Sequence, residues 1–213
     1  MPASFCRCGL IVVEKMKTKL AVFDFDGTLT SRDSMLEFTR FYSGNARFFL
    51  GMLYLMPMLL RYKAGWFPNW RAKERFLTHF FGNEPLPRFE AACKRFGLEK
   101  IPGLLRPAAV QCLEGHRAAG DQIVIVSSSA ENWLGYWCRE QQIPLIGTRL
   151  QVQDGLITGK LDSPNCYGEE KARRLREAFQ LGDFVEIIAY GDSKGDFALF
   201  ELATRHYYKP FRE

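Results

Sequence analysis

No stretch of the sequence reaches the ~18 consecutive apolar residues that a membrane-crossing helix needs, which excludes a polytopic membrane protein. CxxC pairs are absent as well. The six cysteines (Cys6, Cys8, Cys93, Cys112, Cys138, Cys166) are scattered over 213 residues, too long a chain to depend on disulfides. Cys6-x-Cys8 has no second Cys/His pair to complete a metal site, and His79, His116 and His206 are equally isolated, so a zinc centre is not expected. There is no internal repeat and no low-complexity tract. The first fifteen residues have neither the charged start nor the long apolar stretch and small-residue cleavage site of a signal peptide. With the scattered cysteines, this predicts a reducing, cytoplasmic setting. What remains, at 47% hydrophobic and 25% charged, is the composition of a globular protein with a substantial core.

The net charge of +5 is unevenly spread. Residues 39–98 hold ten Lys/Arg against three acids, Glu74, Glu84 and Glu90, a balance of +7 that leaves about −2 for the remainder. The same segment holds nearly half of the aromatic residues, so it reads as a separate module. Met16-Lys17-Thr18-Lys19 looks like a natural beginning, which makes residues 1–16 a flexible N-terminal extension or an artefact of start-site choice.

Three apolar runs end in polar residues suited to chemistry. Lys19 to Phe25 (KLAVFDF) reads as a strand buried on both faces and leads into Asp24-Phe25-Asp26-Gly27-Thr28. Gln122 to Val126 ends at Ser127-Ser128-Ser129 and follows a helix predicted from Gly103 to Ala119. Phe184 to Tyr190 ends at Gly191-Asp192 and follows a helix from about Glu169 to Phe179. Strands alternating with helices predict an α/β fold with a doubly wound parallel sheet. Between them, Arg149 to Lys160 alternates around Asp154-Gly155, a hairpin signal.

In such sheets the ligand lies beyond the carboxyl ends of the strands. That edge would gather Asp24, Asp26, Ser127 and Asp192, and carboxylates so close repel one another unless a hard cation lies between them. Mg²⁺ is the natural choice, since it prefers oxygen ligands and commonly takes a phosphate oxygen as another. Ser127 offers a hydroxyl and neighbouring N–H groups for phosphate, and Lys171, in the first turn of its helix, offers a compact charge. Each residue taken singly has a plainer reading: DxD also marks nucleotide-sugar transferases, Ser127 suits a helix cap, and Asp192 and Asp196 suit a turn. Their arrival in order at successive strand ends favours one site.

DFDGTLT at 24–30, Ser127 after IVIV, Lys171 in GEEKARRL and GDSKGD at 191–196 resemble, in order and spacing, the four motifs of the haloacid dehalogenase-like superfamily. NCYGEEK and the preceding hairpin are similar to the branch that contains phosphoserine phosphatases and phosphatidylglycerophosphatases. The resemblance implies a Rossmann-like core of residues 17–38 and 99–213 with an α-helical cap inserted at 39–98. It implies a Mg²⁺-dependent phosphomonoester hydrolase in which Asp24 forms an aspartyl-phosphate and Asp26 is the acid and base, its backbone carbonyl a metal ligand. Asp192 would be the second carboxylate on the metal, Ser127 and Lys171 would hold phosphoryl oxygens, and Thr28 and Asp196 would support the site. Ser128 departs from phosphoserine phosphatases, which commonly have Gly there. Their substrate-recognising Glu corresponds to Asp33, the candidate substrate contact. A phosphotransferase, or a catalytically silent protein on the same fold, remains an alternative.

Phe48 to Leu60 is apolar apart from Gly51 and Pro57 and is flanked by Arg47, Arg61 and Lys63. As a helix it spans only ~20 Å of a ~30 Å hydrocarbon core and does not cross it. Two readings stand: a buried cap helix, or an interfacial one with Trp66, Phe67 and Trp70 at headgroup depth. The second suits a lipid-type phosphate and peripheral contact with a membrane; the first suits a small soluble phosphate such as phosphoserine. Nucleic acid is not expected, for the basic segment has an apolar centre and no recognised binding motif.

Overall fold

The computed structural model describes residues 18–212; the expected extension at 1–16, with Cys6 and Cys8, lies outside the described residues. β1 (Lys19–Phe23) is buried at every position but its first. The chain then makes a wide turn at Phe25–Leu29, closed by the Thr30 N–H on the Phe25 carbonyl at 3.1 Å. α1 (Ser34–Lys63) follows, and Gly44, at φ +77°, interrupts it. α2 (Asn69–Phe81), the two-residue β2 (Glu84–Pro85) and α3 (Leu86–Glu99) complete a helical insertion.

α4 (Pro107–Ala118) starts four residues later than the sequence suggests. Proline disfavours helical backbone in the residue before it, and Arg106 is extended, so the helix begins at Pro107 and Ile101–Leu104 forms a separate 3₁₀ turn. β3 (Gln122–Ala130) runs on through the three serines into α5 (Glu131–Glu140) and β4 (Leu145–Thr148). The hairpin forms as expected from β5 (Leu150–Gln153) and β6 (Leu156–Leu161), with Asp154 and Gly155 both at positive φ, as a tight primed turn requires. α6 (Glu169–Ala178), β7 (Glu186–Gly191), α7 (Phe197–Leu202) and β8 (Arg205–Tyr208) end the fold.

The main sheet has the order β4-β3-β1-β7-β8, and all its strands are parallel. From β1 the chain moves outward on one side to β3 and β4, then returns to the other side for β7 and β8. The crevice expected at such a reversal lies beyond the ends of β1 and β7. Alternation along β1 sends Leu20 and Val22 into one core with Val124 and Leu175, and Ala21 and Phe23 into another with Trp133 and Phe38.

The aromatic richness of the basic segment is mostly its own core. The Phe38 ring lies 5.2 to 5.5 Å from those of Phe81, Phe89, Phe96 and Trp133, joining the insertion to α5. The hairpin pairs through β6 with β2, and α2 packs on β6 so closely that a Cβ at Gly159 would come 2.3 Å from the Thr78 Cα. Phe48–Leu60 lies within α1. Gly51, Leu55 and Met58 on its inner side are buried, while its outer side is exposed. No helix among the described residues is long and apolar enough to cross a membrane.

Candidate active site

Asp24 follows β1 directly and keeps its pairing, its N–H donating to the Tyr190 carbonyl at 2.9 Å. The carboxylate emerges at the sheet edge and is nearly fully buried. Its Oδ1 accepts from Lys171 Nζ at 2.6 Å and its Oδ2 from Thr28 Oγ1 at 3.1 Å. Lys171 reaches there from the first turn of α6 and donates equally to Asp196 Oδ1 at 2.7 Å. Burial works against the ammonium, but Asp24 and Asp196 outweigh it and raise its pKa, so Lys171 is a fixed positive charge.

Asp24, Asp192 and Asp196 each present a carboxylate oxygen within 4.8 Å of the others. This corrects the sequence reading, which grouped the Asp24, Asp26 and Asp192 carboxylates. Asp26 contributes no carboxylate to the cluster because the turn at Asp26-Gly27, with Gly27 at φ +81°, sends its side chain elsewhere. Asp26 Oδ1 accepts from the Ser34 N–H at 2.6 Å and Oδ2 from Ser129 Oγ at 2.5 Å. A Cβ on Gly27 would come 2.4 Å from Asp192 Oδ2, so glycine is needed both for the turn and for the approach of Asp192.

The three clustered acids differ in what already holds them. Asp196 Oδ2 accepts from the N–H groups of Asp192 and Ser193 and from Ser193 Oγ. Burial disfavours its charge, yet Lys171 and these donors outweigh that and lower its pKa. It is a supporting acid with little left to give a metal. Among the described residues the Asp192 carboxylate is bound only by Arg212, and burial raises its pKa against that pull. Burial pushes Asp24 up to about 7, Lys171 opposing and Asp196 adding. Three carboxylates beside one ammonium leave excess negative charge in a buried space. The donor set is all oxygen, so Asp24 and Asp192 fit a hard divalent cation.

Ser127, fully buried at the end of the IVIV segment of β3, accepts from the Ser129 N–H at 3.1 Å and keeps its own proton free to donate. Asp33 caps α1 by accepting from the Leu36 N–H at 3.0 Å, and its charge acts on Asp26, whose pKa is raised to about 6, first by burial and then by Asp33.

Sequence reasoning missed the groups that hold Asp26 and that close the site from above. Trp133 Nε1 donates to Ser34 Oγ, which donates to Ser129 Oγ, which donates to Asp26. Lys73, from α2, donates to the Ser128 carbonyl at 2.6 Å and to Asn165 Oδ1 at 2.7 Å. Burial lowers its pKa to about 8, with Asp26 and Asp33 opposing. Its one sequence signal is its spacing, four residues from Asn69 and from Leu77, which places a lysine on the inner side of an amphipathic helix.

The chain is similar to known proteins in sequence and in fold. The chain is 38% identical to the protein CicA of Caulobacter vibrioides over 91% of its own length and 86% of that protein's. A Bordetella pertussis Tohama I protein of unknown function has a structure similar to this one, with a TM-score of 0.77, 28% identity and 90% of both chains covered. A phospho-aspartyl intermediate analogue of phosphoserine phosphatase shares the fold, with a TM-score of 0.66, 18% identity, and 90% of this chain and 86% of that one covered. Residues 21–201, from within β1 to α7 and so including every clustered acid and Lys171, match the haloacid dehalogenase-like hydrolases, and the chain belongs to that family.

Proposed function

We propose that this chain is a Mg²⁺-dependent phosphomonoester hydrolase that works through an aspartyl-phosphate on Asp24. The observation that carries the reading is the Lys171 ammonium, held between Asp24, just past the end of β1, and Asp196, whose other oxygen is held by the turn after β7. One Asp24 oxygen is the nucleophile, attacking phosphorus in line as the ester oxygen leaves. Lys171 and the Ser127 hydroxyl receive the phosphoryl oxygens. A magnesium ion held by Asp24, Asp192 and the Asp26 carbonyl would supply further neutralisation of phosphoryl charge.

Asp26 protonates the leaving alcohol and then takes the proton from the water that hydrolyses the acyl phosphate. A carboxyl raised to about 6 can carry that proton in either direction near neutrality. Ser129 and Ser34 keep Asp26 away from the cluster and so separate the acid from the nucleophile.

The substrate we infer is an amphipathic phosphate. Next to Lys73, which Asn165 binds, a groove is lined by the apolar Pro68, Trp70, Leu161, Pro164 and Tyr167 together with the polar Asn69, Glu74, Asp162, Ser163 and Asn165. A lining that mixes apolar and polar side chains suits a substrate with a polar head and a greasy tail.

The test is acid-quench trapping with a ³²P-labelled phosphomonoester and Mg²⁺. Wild type should carry acid-stable, alkali- and hydroxylamine-labile label, and Asp24→Asn should carry none. Turnover by Asp24→Asn at the wild-type rate would overturn the reading. Lipid phosphates assayed beside phosphoserine, with an added alcohol acceptor, would separate the substrate classes and distinguish hydrolysis from transfer.

A further inference from the structure

α1 is apolar on both sides. Its inner side packs against α2, whereas Phe49, Leu50, Leu53, Tyr54 and Leu60 stand 61 to 73% exposed on the outer side. Positions 49, 53, 56 and 60 recur at helical spacing, and Trp66, also 73% exposed, continues the surface past the helix end. A helix apolar all round belongs inside a core, and the largest apolar patch of a soluble monomer is roughly 300–600 Å². Six large side chains exposed to this degree need a partner.

The surroundings indicate which one. Arg61, Lys63, Arg71 and Arg75 are exposed, and among the described residues none of them pairs with a carboxylate. Arg71 lies over the Trp70 ring and Arg75 over Phe67, so charge and aromatic surface are interleaved. A groove of about 820 Å³ opens between α1 and α2, lined among others by Tyr54, Met58, Arg61 and Trp70. A second, of about 740 Å³, shares Trp70 and Glu74 with it and reaches Asn165 and Tyr167. Asn165 binds Lys73, and the Tyr167 ring covers Gly195, next to Asp196. The apolar face is thus connected by adjoining grooves to the catalytic edge.

We propose that the outer face of α1, with the segment around Trp66 and Trp70, docks on an anionic lipid bilayer. Aliphatic and aromatic side chains enter the acyl boundary while the arginines and Lys63 meet acidic headgroups. A second copy on this face would bring like-charged clusters within a Debye length, and the aliphatic stripe offers nothing to a nucleic acid. The inference rests on the proposed function only for its purpose, which is to collect an amphipathic phosphate from the membrane plane.

The test is cosedimentation of the full chain with phosphatidylserine/phosphatidylcholine vesicles and with phosphatidylcholine alone, at low and high salt. Wild type should bind the anionic vesicles, release them as salt rises, and bind neutral vesicles weakly. The double variant Leu53→Glu/Leu60→Glu alters exposed positions only and should lose on the order of tenfold or more in partitioning. Its circular dichroism and its hydrolysis of a soluble aryl phosphate should match wild type. The proposal is overturned by absence of binding to anionic vesicles at low salt, by equal binding of the variant, or by a wild-type dimer that the variant dissociates. Binding is read without turnover, so bound protein that leaves lipid phosphates intact would reject the substrate reading and keep the docking surface.

Discussion

Replacing Lys171 with methionine keeps most of the side-chain volume and removes the charge, and its effect on stability follows from the geometry. Nζ lies 2.6 Å from one buried carboxylate and 2.7 Å from another, and nothing else among the described residues brings an ammonium to either. Removing one partner of a buried ionic set costs about 3–5 kcal/mol. Asp196 keeps its N–H and hydroxyl donors and stays ionised, so Asp24 is the group that takes up a proton. Its carboxyl already sits at about 7 with Lys171 present, and without the lysine it rises further. A raised carboxyl pKa means that the folded state binds the proton more tightly than the unfolded one, so its destabilisation is full above the folded value and relieved as pH falls. The gap between variant and wild type should therefore be widest in alkali, about 3–5 kcal/mol at ~pH 9, and smaller by about 1 kcal/mol or more at ~pH 6.5. Urea unfolding followed by circular dichroism, in EDTA, measures both. A gap under ~1 kcal/mol at ~pH 9, or one that widens on acidification, would refute the charge accounting of the site.

Asp24→Asn should abolish hydrolysis of a generic aryl phosphate while leaving the unfolding midpoint equal to or above that of wild type, since it removes a buried charge that burial disfavours. Asp26→Asn should form phosphoenzyme slowly and release it more slowly still, visible as label that persists through a chase with unlabelled substrate. EDTA should remove activity and Mg²⁺ restore it. Titration calorimetry should show Mg²⁺ affinity falling as pH drops below about 7, because Asp24 must give up its proton, and Asp192→Ala should weaken binding at least tenfold. Gly27→Ala should cost on the order of 100-fold in kcat, because a methyl group there meets Asp192 and forces a left-handed residue to carry a side chain; activity within threefold of wild type would show that the turn has room.

The strand ends were legible because a buried parallel strand is an unbroken apolar run, and the switch to Asp or Ser marks where it leaves the sheet. Asp24, Ser127 and Asp192 could be placed at one edge that way, and Lys171 followed from the helix before β7. Asp26 shows the limit of that reasoning. Its neighbour two residues back stays in the cluster, and only the backbone angles at Asp26 and Gly27 decide that its own side chain does not. Ser34 and Ser129 were not legible and Lys73 was marked only by its helical spacing, since each acts through contacts set by how α2 and α1 lie over the sheet edge. β8 (RHYY) was missed because its charged start and exposed residues carry no buried-strand pattern, yet parallel pairing to β7 recruits it. The apolar run at 48–60 had two readings from sequence, a buried cap helix or an interfacial one. The structure buries one side of α1 and exposes the other, a division that periodicity alone could not assign because both sides are apolar.

The turn after β1 gives two aspartates only two residues apart the different surroundings that their proposed roles require. A nucleophile must be ionised when substrate binds, whereas an acid must hold a proton and give it up near neutrality, so the two need different surroundings. Asp24 stays in line with the strand, where burial raises its carboxyl to about 7 even with Lys171 2.6 Å away, above Asp26 at about 6, so its ionisation in the proposed mechanism depends on a bound cation. Asp26 is turned toward the start of α1, where its partners are an N–H and a hydroxyl, and among the described residues no ammonium touches its carboxylate. Its proton is therefore governed by burial and by the Asp33 charge, both of which favour the protonated form, while Ser34 and Ser129 limit the rise to about 6. The same helix start that fixes Asp26 is the base of α1, so the element that presents the apolar outer face is anchored on the proposed acid. In the proposed mechanism, a substrate that shifts α1 on arrival would act first on the group that protonates its leaving oxygen.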